Sequence, residues 1–304
     1  MSHINRLKGT FYGLIVGDAL GGPLEFKDRD TRPLLTEMAE IKHFDLPPGS
    51  WSDDTSMMLC IAESLTITGK GEQDRVDQLN RFTEWWRNGY NSVNGECFDI
   101  GGTVKTALRR FKFFKEPVAL TDDEMFQGNG SLMRLAPVPM MFWYDVERAG
   151  IESALSSETT HANSLCKDIC KLFGKMVARA IQGVNKEEIL ATDRTSTEYD
   201  ALLVPILEQA YRSKRRDEIQ SSGWALHTIE TVLWAFANTD NFEDGLILVI
   251  NLAGDADTNG AIYGMIAGAH YGYDAIPQRW VGDLQRPDMI ERVYVPFIER
   301  VMSE

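Results

Sequence analysis

The chain has 304 residues, 43% of them hydrophobic and 25% charged, with a formal charge of −14, the composition of a globular protein with a large buried core. That acidity, with no Lys/Arg block able to track a phosphate backbone, excludes free-standing nucleic-acid binding; Lys214-Arg215-Arg216, the richest basic cluster, reads as a solvated helix end. The N-terminus lacks the basic flank and long apolar segment of a secretory signal, and no apolar run is long enough to span a bilayer, so a cytoplasmic protein is expected.

Ile4, Leu7, Phe11, Leu14 and Ile15 recur at helical spacing and predict a first amphipathic helix. Gly17-Asp18-Ala19-Leu20-Gly21-Gly22-Pro23 should end it and let the backbone approach a ligand. Glu25 then falls on a loop, where a single Glu is ordinarily solvated. Residues 28–50 read as irregular, punctuated by Pro33, Pro47, Pro48 and Gly49. Next comes Trp51-Ser52-Asp53-Asp54-Thr55, two carboxylates flanked by hydroxyls ahead of Met57, Met58, Ile61 and Leu65 at helical spacing. Taken alone it is a helix N-cap, since Ser and Asp accept orphan backbone N–H bonds. Val76, Leu79, Phe82, Trp85 and Trp86 predict another helix. A turn-rich stretch then ends in Asp99-Ile100-Gly101-Gly102-Thr103, whose glycines could admit a phosphate to the start of a helix bearing Val104, Leu108 and Phe111.

Gln127-Gly128-Asn129-Gly130-Ser131-Leu132-Met133-Arg134 is a second glycine-rich entry, to a short helix ended near Pro137 and Pro139. It matches neither the P-loop nor the dinucleotide-binding pattern, but its N–H groups suit an anion. Thr159-Thr160-His161 is expected to cap a long helix through Leu165, Ile169, Phe173 and Val177, and helical patterns continue over 186–213 and 224–239. Phe242, Leu246, Val249 and Ile250 form a helix reaching Ala253. Gly254-Asp255-Ala256-Asp257-Thr258 then repeats the carboxylate and hydroxyl chemistry of the first cluster. It opens a helix with Gly260, Gly264 and Gly268 at intervals of four, a spacing that suits close helix contact. The opening D-x-D-x-N-G of a calcium loop is present there, but position twelve is Ile266 where a bidentate Glu is needed.

Cys60, Cys97, Cys166 and Cys170 and the five histidines fall in no zinc-site spacing, so the thiols read as free. No alternating strand pattern occurs. The expectation is one all-α domain over 1–304, a compact orthogonal helix bundle around a central Gly/Ala-rich helix. Together its two acidic clusters could hold one or two Mg²⁺ or Mn²⁺ ions, which prefer oxygen ligands.

These motifs, in this order from about residue 9 to about residue 272, resemble the ADP-ribosylglycohydrolase family, which includes the dinitrogenase reductase-activating glycohydrolases. The pieces are Gly17 to Gly21 with Glu25, Trp51 to Thr55, Gly128 to Ser131 with Met133-Arg134, His161, and Gly254 to Thr258 with its glycine-spaced helix. The resemblance implies an all-helical fold with a binuclear metal cleft, its pair of Mg²⁺ or Mn²⁺ ions on Ser52, Asp53, Asp54, Asp255, Asp257 and Thr258. It places Glu25 near the scissile ribose, with Asp53 and Asp54 also in the catalytic group. ADP-ribose would lie against Gly128, Asn129, Gly130, Ser131, Met133 and His161, and against Asp99 and Gly101. The family commonly has Thr where this chain has Ser52, and either supplies one hydroxyl. The implied reaction is hydrolysis of the bond joining ADP-ribose to an acceptor, with an ADP-ribosylated protein as partner and arginine favoured as the modified residue. The alternatives are another ADP-ribosyl linkage or an inactive, crystallin-like relative.

Overall fold

A computed structural model describes residues 1–120 and 124–303. Among them it forms fourteen α-helices and no β-strand, so the all-α expectation holds. In chain order these are α1 (His3–Gly21), α2 (Asp53–Thr68), α3 (Arg75–Asn88), α4 (Gly102–Phe114), α5 (Pro137–Met141), α6 (Val146–Ser157) and α7 (Ser164–Gln182). They are followed by α8 (Lys186–Leu190), α9 (Val204–Leu207), α10 (Ala225–Ala237), α11 (Phe242–Ile250), α12 (Ala256–Tyr271), α13 (Gln278–Asp283) and α14 (Pro287–Met302). None is long and apolar enough to cross a membrane.

The centre of the molecule is the pair α1 and α12, joined by two facing series of small residues. A Cβ at Gly9 would overlap the carbonyl oxygen of Gly268, one at Gly13 that of Gly264, one at Gly17 that of Gly260, and one at Gly21 that of Ala256. Numbers rise on one helix as they fall on the other, so the pair is antiparallel and in a register of four residues. Backbone meets backbone, which only glycine permits at this separation. Consequently α1 is not amphipathic as its spacing suggested: Leu7 and every residue from Gly9 to Gly21 are buried. It also runs through Gly17 to Gly21 instead of ending there, and stops at the short turn Gly22–Leu24 that carries Pro23.

Other differences from the sequence pattern have local causes. Residues 127–135 form turns, and α5 begins at Pro137 where the short helix was expected to stop; proline at the first helical position gives up only an orphan N–H. Helix α7 is capped by Asn163, whose side chain accepts from Leu165 N, instead of by Thr160. The span 186–213 breaks into α8, α9 and short 3-10 turns, and α11 stops at Ile250, short of Ala253. Lys214 to Arg216 sits in this turn-rich region, where the Arg216 guanidinium donates to both Asp30 oxygens at 2.8 Å.

Candidate active site

The glycine register of α1 against α12 has a chemical consequence. It brings Asp18, near the end of α1, beside Asp257, in the first turn of α12. Asp18 is fully buried and captures the start of α2. Its Oδ1 accepts from Ser52 N at 2.9 Å, and its Oδ2 accepts from Thr55 N at 3.0 Å and Thr55 Oγ1 at 2.6 Å. Ser52 also caps its own helix, accepting from Asp54 N at 3.4 Å. The plain capping reading of this motif is therefore true, and the cap is what aims Asp53 and Asp54.

The two acidic clusters, some 200 residues apart in sequence, meet. Carboxylate oxygens of Asp18, Asp54 and Asp257 lie within 4.8 Å of one another, and those of Glu25, Asp99 and Asp257 do likewise. Asp257 is common to both groups. Thr258 Oγ1 is 3.5 Å from Asp54 Oδ1 and ties the start of α12 to that of α2. Asp54 Oδ2 and Asp257 Oδ1 are buried with no hydrogen-bond partner among the described residues. Two orphaned carboxylate oxygens in one buried cluster fit a divalent cation, which would satisfy both. Burial, and then the neighbouring carboxylates, push Asp53, Asp54 and Asp257 well above the usual carboxylate range.

Glu25 corrects the solvated-loop expectation, being only 3% exposed. Burial first, then the charges of Asp257 and Asp99, push it up to about 12. Its Oε2 lies 3.0 Å from His43 Nε2. Burial and Lys27 lower His43, so this contact is a hydrogen bond between neutral groups and not an ion pair. Asp99 adopts a left-handed φ of 58°, a conformation Asp tolerates, and this turns it toward Glu25 and Asp257. It belongs with the acids more than with the glycine turns.

A cavity of about 720 Å³ opens over this cluster. Glu25, Asp53, Asp99, Asp255 and Thr258 line its acidic end; Gly101, Gly128, Asn129, Gly130, Met133 and His161 line the other. Ser52, Asp54 and Asp257 are buried behind the wall. Ser131 does not line the cavity: its hydroxyl turns into the protein, accepting from Ser157 Oγ at 2.8 Å. Gly101 and Gly102 have nothing within 4 Å of where a Cβ would stand, so their backbone is open to the cavity. The 127–133 turn is fixed from below by Asn129 N donating to Gly223 O (3.0 Å) and Asn129 Nδ2 donating to Asp255 Oδ2 (2.6 Å).

Some lining residues carry no signal in the sequence, among them Phe26, Lys27, Asp28 and the segment Ser221 to Gly223. His43, beside Glu25 but outside the lining, carries none either, and the part of Asp18 as an anchor of α2 went unread. For Asp18 a signal existed. Gly9, Gly13, Gly17 and Gly21 repeat the four-residue spacing of Gly260, Gly264 and Gly268, and matching the two series pairs α1 with α12.

Comparison with known proteins follows the same line. The family model for ADP-ribosylglycohydrolase matches residues 1–303. An ADP-ribosylarginine hydrolase, Tri1, of Pseudomonas putida (strain GB-1) is 36% identical over 299 residues, covering 98% of this chain and 79% of the relative. The ADP-ribosyl-(dinitrogen reductase) glycohydrolase of Rhodospirillum rubrum is 32% identical over 291 residues, covering 92% of this chain and 90% of the relative. A solved structure described as an ADP-ribosylglycohydrolase-related protein complex superposes with a TM-score of 0.86 at 34% identity, covering 99% of each chain.

Proposed function

The chain belongs to the ADP-ribosylglycohydrolase family, and from that premise we propose that it hydrolyses the bond joining ADP-ribose to an arginine side chain of a modified protein. The observation that carries the reading is the pair of orphaned oxygens on Asp54 and Asp257, set behind a cavity whose far wall is glycine turns. In this reading Ser52, Asp53, Asp54, Asp255, Asp257 and Thr258 hold two Mg²⁺ or Mn²⁺ ions. Bound there, the ions supply a template for the ribose hydroxyls and a more acidic water.

The protein's own groups do the rest. Backbone N–H groups of the 127–133 turn and of Gly101 and Gly102 receive the diphosphate, as open glycine turns do. The ribose lies over Asp53 and Asp255, whose negative charge stabilises the oxocarbenium character that builds as C1″ loses its bond to the acceptor. Glu25, held by His43 and shielded from bulk water, handles the proton: water adds to C1″, and the guanidine leaves in its cationic form. A guanidinium is attracted to the cavity by Asp28 and Asp99, and its planar donor fork suits carboxylates. The chain acts as a soluble cytoplasmic enzyme on a protein substrate, with no part for nucleic acid or membrane.

The decisive test incubates the protein with Mg²⁺ or Mn²⁺ and proteins carrying ADP-ribose on arginine, serine or cysteine, together with ADP-ribosylated nucleic acid, and measures free ADP-ribose. Release from arginine ahead of the others is expected. Faster release from serine overturns the acceptor, and no release from any substrate overturns the enzyme reading in favour of a crystallin-like relative.

A further inference from the structure

Behind His161 lies a buried cation that the reaction above does not use. Arg134 is fully buried and has no carboxylate hydrogen-bonded to it among the described residues. Its guanidinium lies over the Phe82 ring, 4.6 Å from the centroid. One terminal nitrogen donates to two hydroxyls at once, to Thr160 Oγ1 at 2.6 Å and to Thr159 Oγ1 at 3.1 Å. Arginine is only ever a donor, so both threonine oxygens are acceptors here and each has a single proton left to place.

Where those protons go is determined by what stands beside them. Thr159 Oγ1 donates to Ser156 O at 2.8 Å. Beside Thr160 Oγ1 stands a ring nitrogen instead of a carbonyl, His161 Nδ1 at 2.8 Å. Thr160 Oγ1 has no other acceptor for its proton among the described residues, so the hydroxyl donates to Nδ1 and the ring proton is left on Nε2. Nε2 is on the cavity side, 3.3 Å from where a Cβ of Gly130 would stand and 3.5 Å from that of Gly128. Burial and the charge of Arg134 oppose a second proton, pushing His161 down to about 3.

We propose that Arg134 and Thr160 are positioning residues that order the proton on His161, so that the ring presents a single, neutral Nε2–H donor to an acceptor oxygen of the ligand at the glycine-turn end of the cavity. The identity of that oxygen, on the ADP-ribose diphosphate or the ribose beside it, rests on the function proposed above; the proton order does not. His161 is then neither acid nor base in the reaction. Its use is orientation: a donor of fixed direction, obtained without a charged side chain in a site that already holds an excess of carboxylates.

Two-bond ¹⁵N–¹H spectra of the histidine rings read the tautomer directly, on the ligand-free protein and between about pH 5 and 8. The wild type is expected to show His161 as the Nε2–H form throughout. Thr160→Val keeps the side-chain shape and removes the relay; it should give mixed tautomers and about tenfold weaker ADP-ribose binding, the loss of roughly one hydrogen bond. Thr160→Ser should restore both, which a purely structural role for the hydroxyl-bearing residue would not require. An Nδ1–H tautomer in the wild type, or titration of His161 within that range, overturns the proposal, as does a Thr160→Val protein with an unchanged tautomer. If the wild type does not bind ADP-ribose at all, the functional reading falls, while the spectra still decide the proton order.

Discussion

The two ends of the cavity are built on opposite principles. At the acidic end, Asp18, Asp53, Asp54, Asp257 and Glu25 come from α1, α2, α12 and the turn after α1, and all are buried with their charges opposed. At the other end, the turns at 101–102 and 127–133 offer backbone and one neutral ring, and their internal bonds are satisfied by Gly223, Thr228 and Asp255. One end is electrostatically unstable until a cation arrives; the other is complete as it stands. Stability and activity should therefore be opposed at the first end and aligned at the second.

The largest effect is expected where both carboxylate groups share a member. Asp257→Ala should lower turnover by about 10³-fold or more, as loss of a principal electrostatic group does. It should also raise the stability of the chelated protein, by removing a buried like charge. In the wild type, chelation should abolish turnover, and Mg²⁺ or Mn²⁺ at about 100 times its dissociation constant should add about 2.7 kcal/mol of stability. That increment should vanish in Asp257→Ala. Denaturant titration with and without chelator, beside an ADP-ribose release assay, checks all three. If Asp54→Ala, Asp257→Ala and the double variant lose activity multiplicatively, the two helix starts work separately and the shared-cation reading is wrong.

Next in size is Glu25→Gln, expected to lower kcat by roughly 10²-fold while ADP-ribose still binds. Calorimetric titration of ADP-ribose against both proteins separates binding from turnover. A variant with near-normal kcat would leave Glu25 as a buried neighbour of His43 with no part in the chemistry.

How much of this was legible beforehand depends on the range of the interaction concerned. Ser52 to Thr55 and Asp255 to Thr258 could be singled out because their chemistry is dense within five residues. Their meeting could not be read from spacing; it depends on the match of Gly9, Gly13, Gly17 and Gly21 to Gly260, Gly264 and Gly268, a pattern split across the chain. The burial of Glu25 was missed for the same reason. Its cover comes from His43, Asp99 and the 254 turn, all distant in sequence, whereas a loop Glu considered alone is solvated. The inward turn of the Ser131 hydroxyl could not be read either, because a motif gives residues in order but not which side chains of a turn face inward. The helix over 186–213 failed on local grounds: apolar spacing persisted through Pro205 and Gln209, whose φ of 61° breaks any helix.

Smaller again is the effect of the register itself. Gly264→Ala puts a methyl against the Gly13 carbonyl, and neither backbone can retreat without parting α1 from α12. A loss of about 1–3 kcal/mol is expected, as for other overpacked cores. Because Asp18 and Asp257 are placed by this contact, cation-dependent stabilisation should weaken in parallel. Gly102→Ala is the control at the other end: with open space around it, stability should hardly change while ADP-ribose affinity falls. Equal stability losses in the two variants would remove the distinction between the ends.

The smallest effect separates the ends by the sign of their pH dependence. In the chelated protein Asp18 is raised to about 6 and Asp99 to about 7, chiefly by burial, and Glu25 higher still. Raised carboxylates stabilise fully below their unfolded values near 4, and the contribution is lost as pH rises through 6 and 7. His161 has the opposite sign. Held at about 3 against about 6.5 when unfolded, it contributes stability above pH 6.5 that is lost as pH falls toward 3. With saturating Mg²⁺ the positive charge beside them lowers Asp18, Asp99 and Glu25 and their slope shrinks, because a bound cation favours the ionised form of a neighbouring carboxylate. What remains between about pH 5 and 6.5 is the histidine slope, about 1.4 kcal/mol per pH unit for each buried neutral ring. His270, lowered to about 4 by burial with Lys186 and Arg6 nearby, adds to it. His161→Gln should therefore flatten the Mg²⁺-loaded curve by one histidine's share and leave the chelated slope governed by the acids. Denaturation midpoints across that pH range, with and without chelator, measure the difference. An unchanged Mg²⁺-loaded slope in His161→Gln would mean that His161 is charged in the fold, and that the turn end is not the neutral half of the cavity.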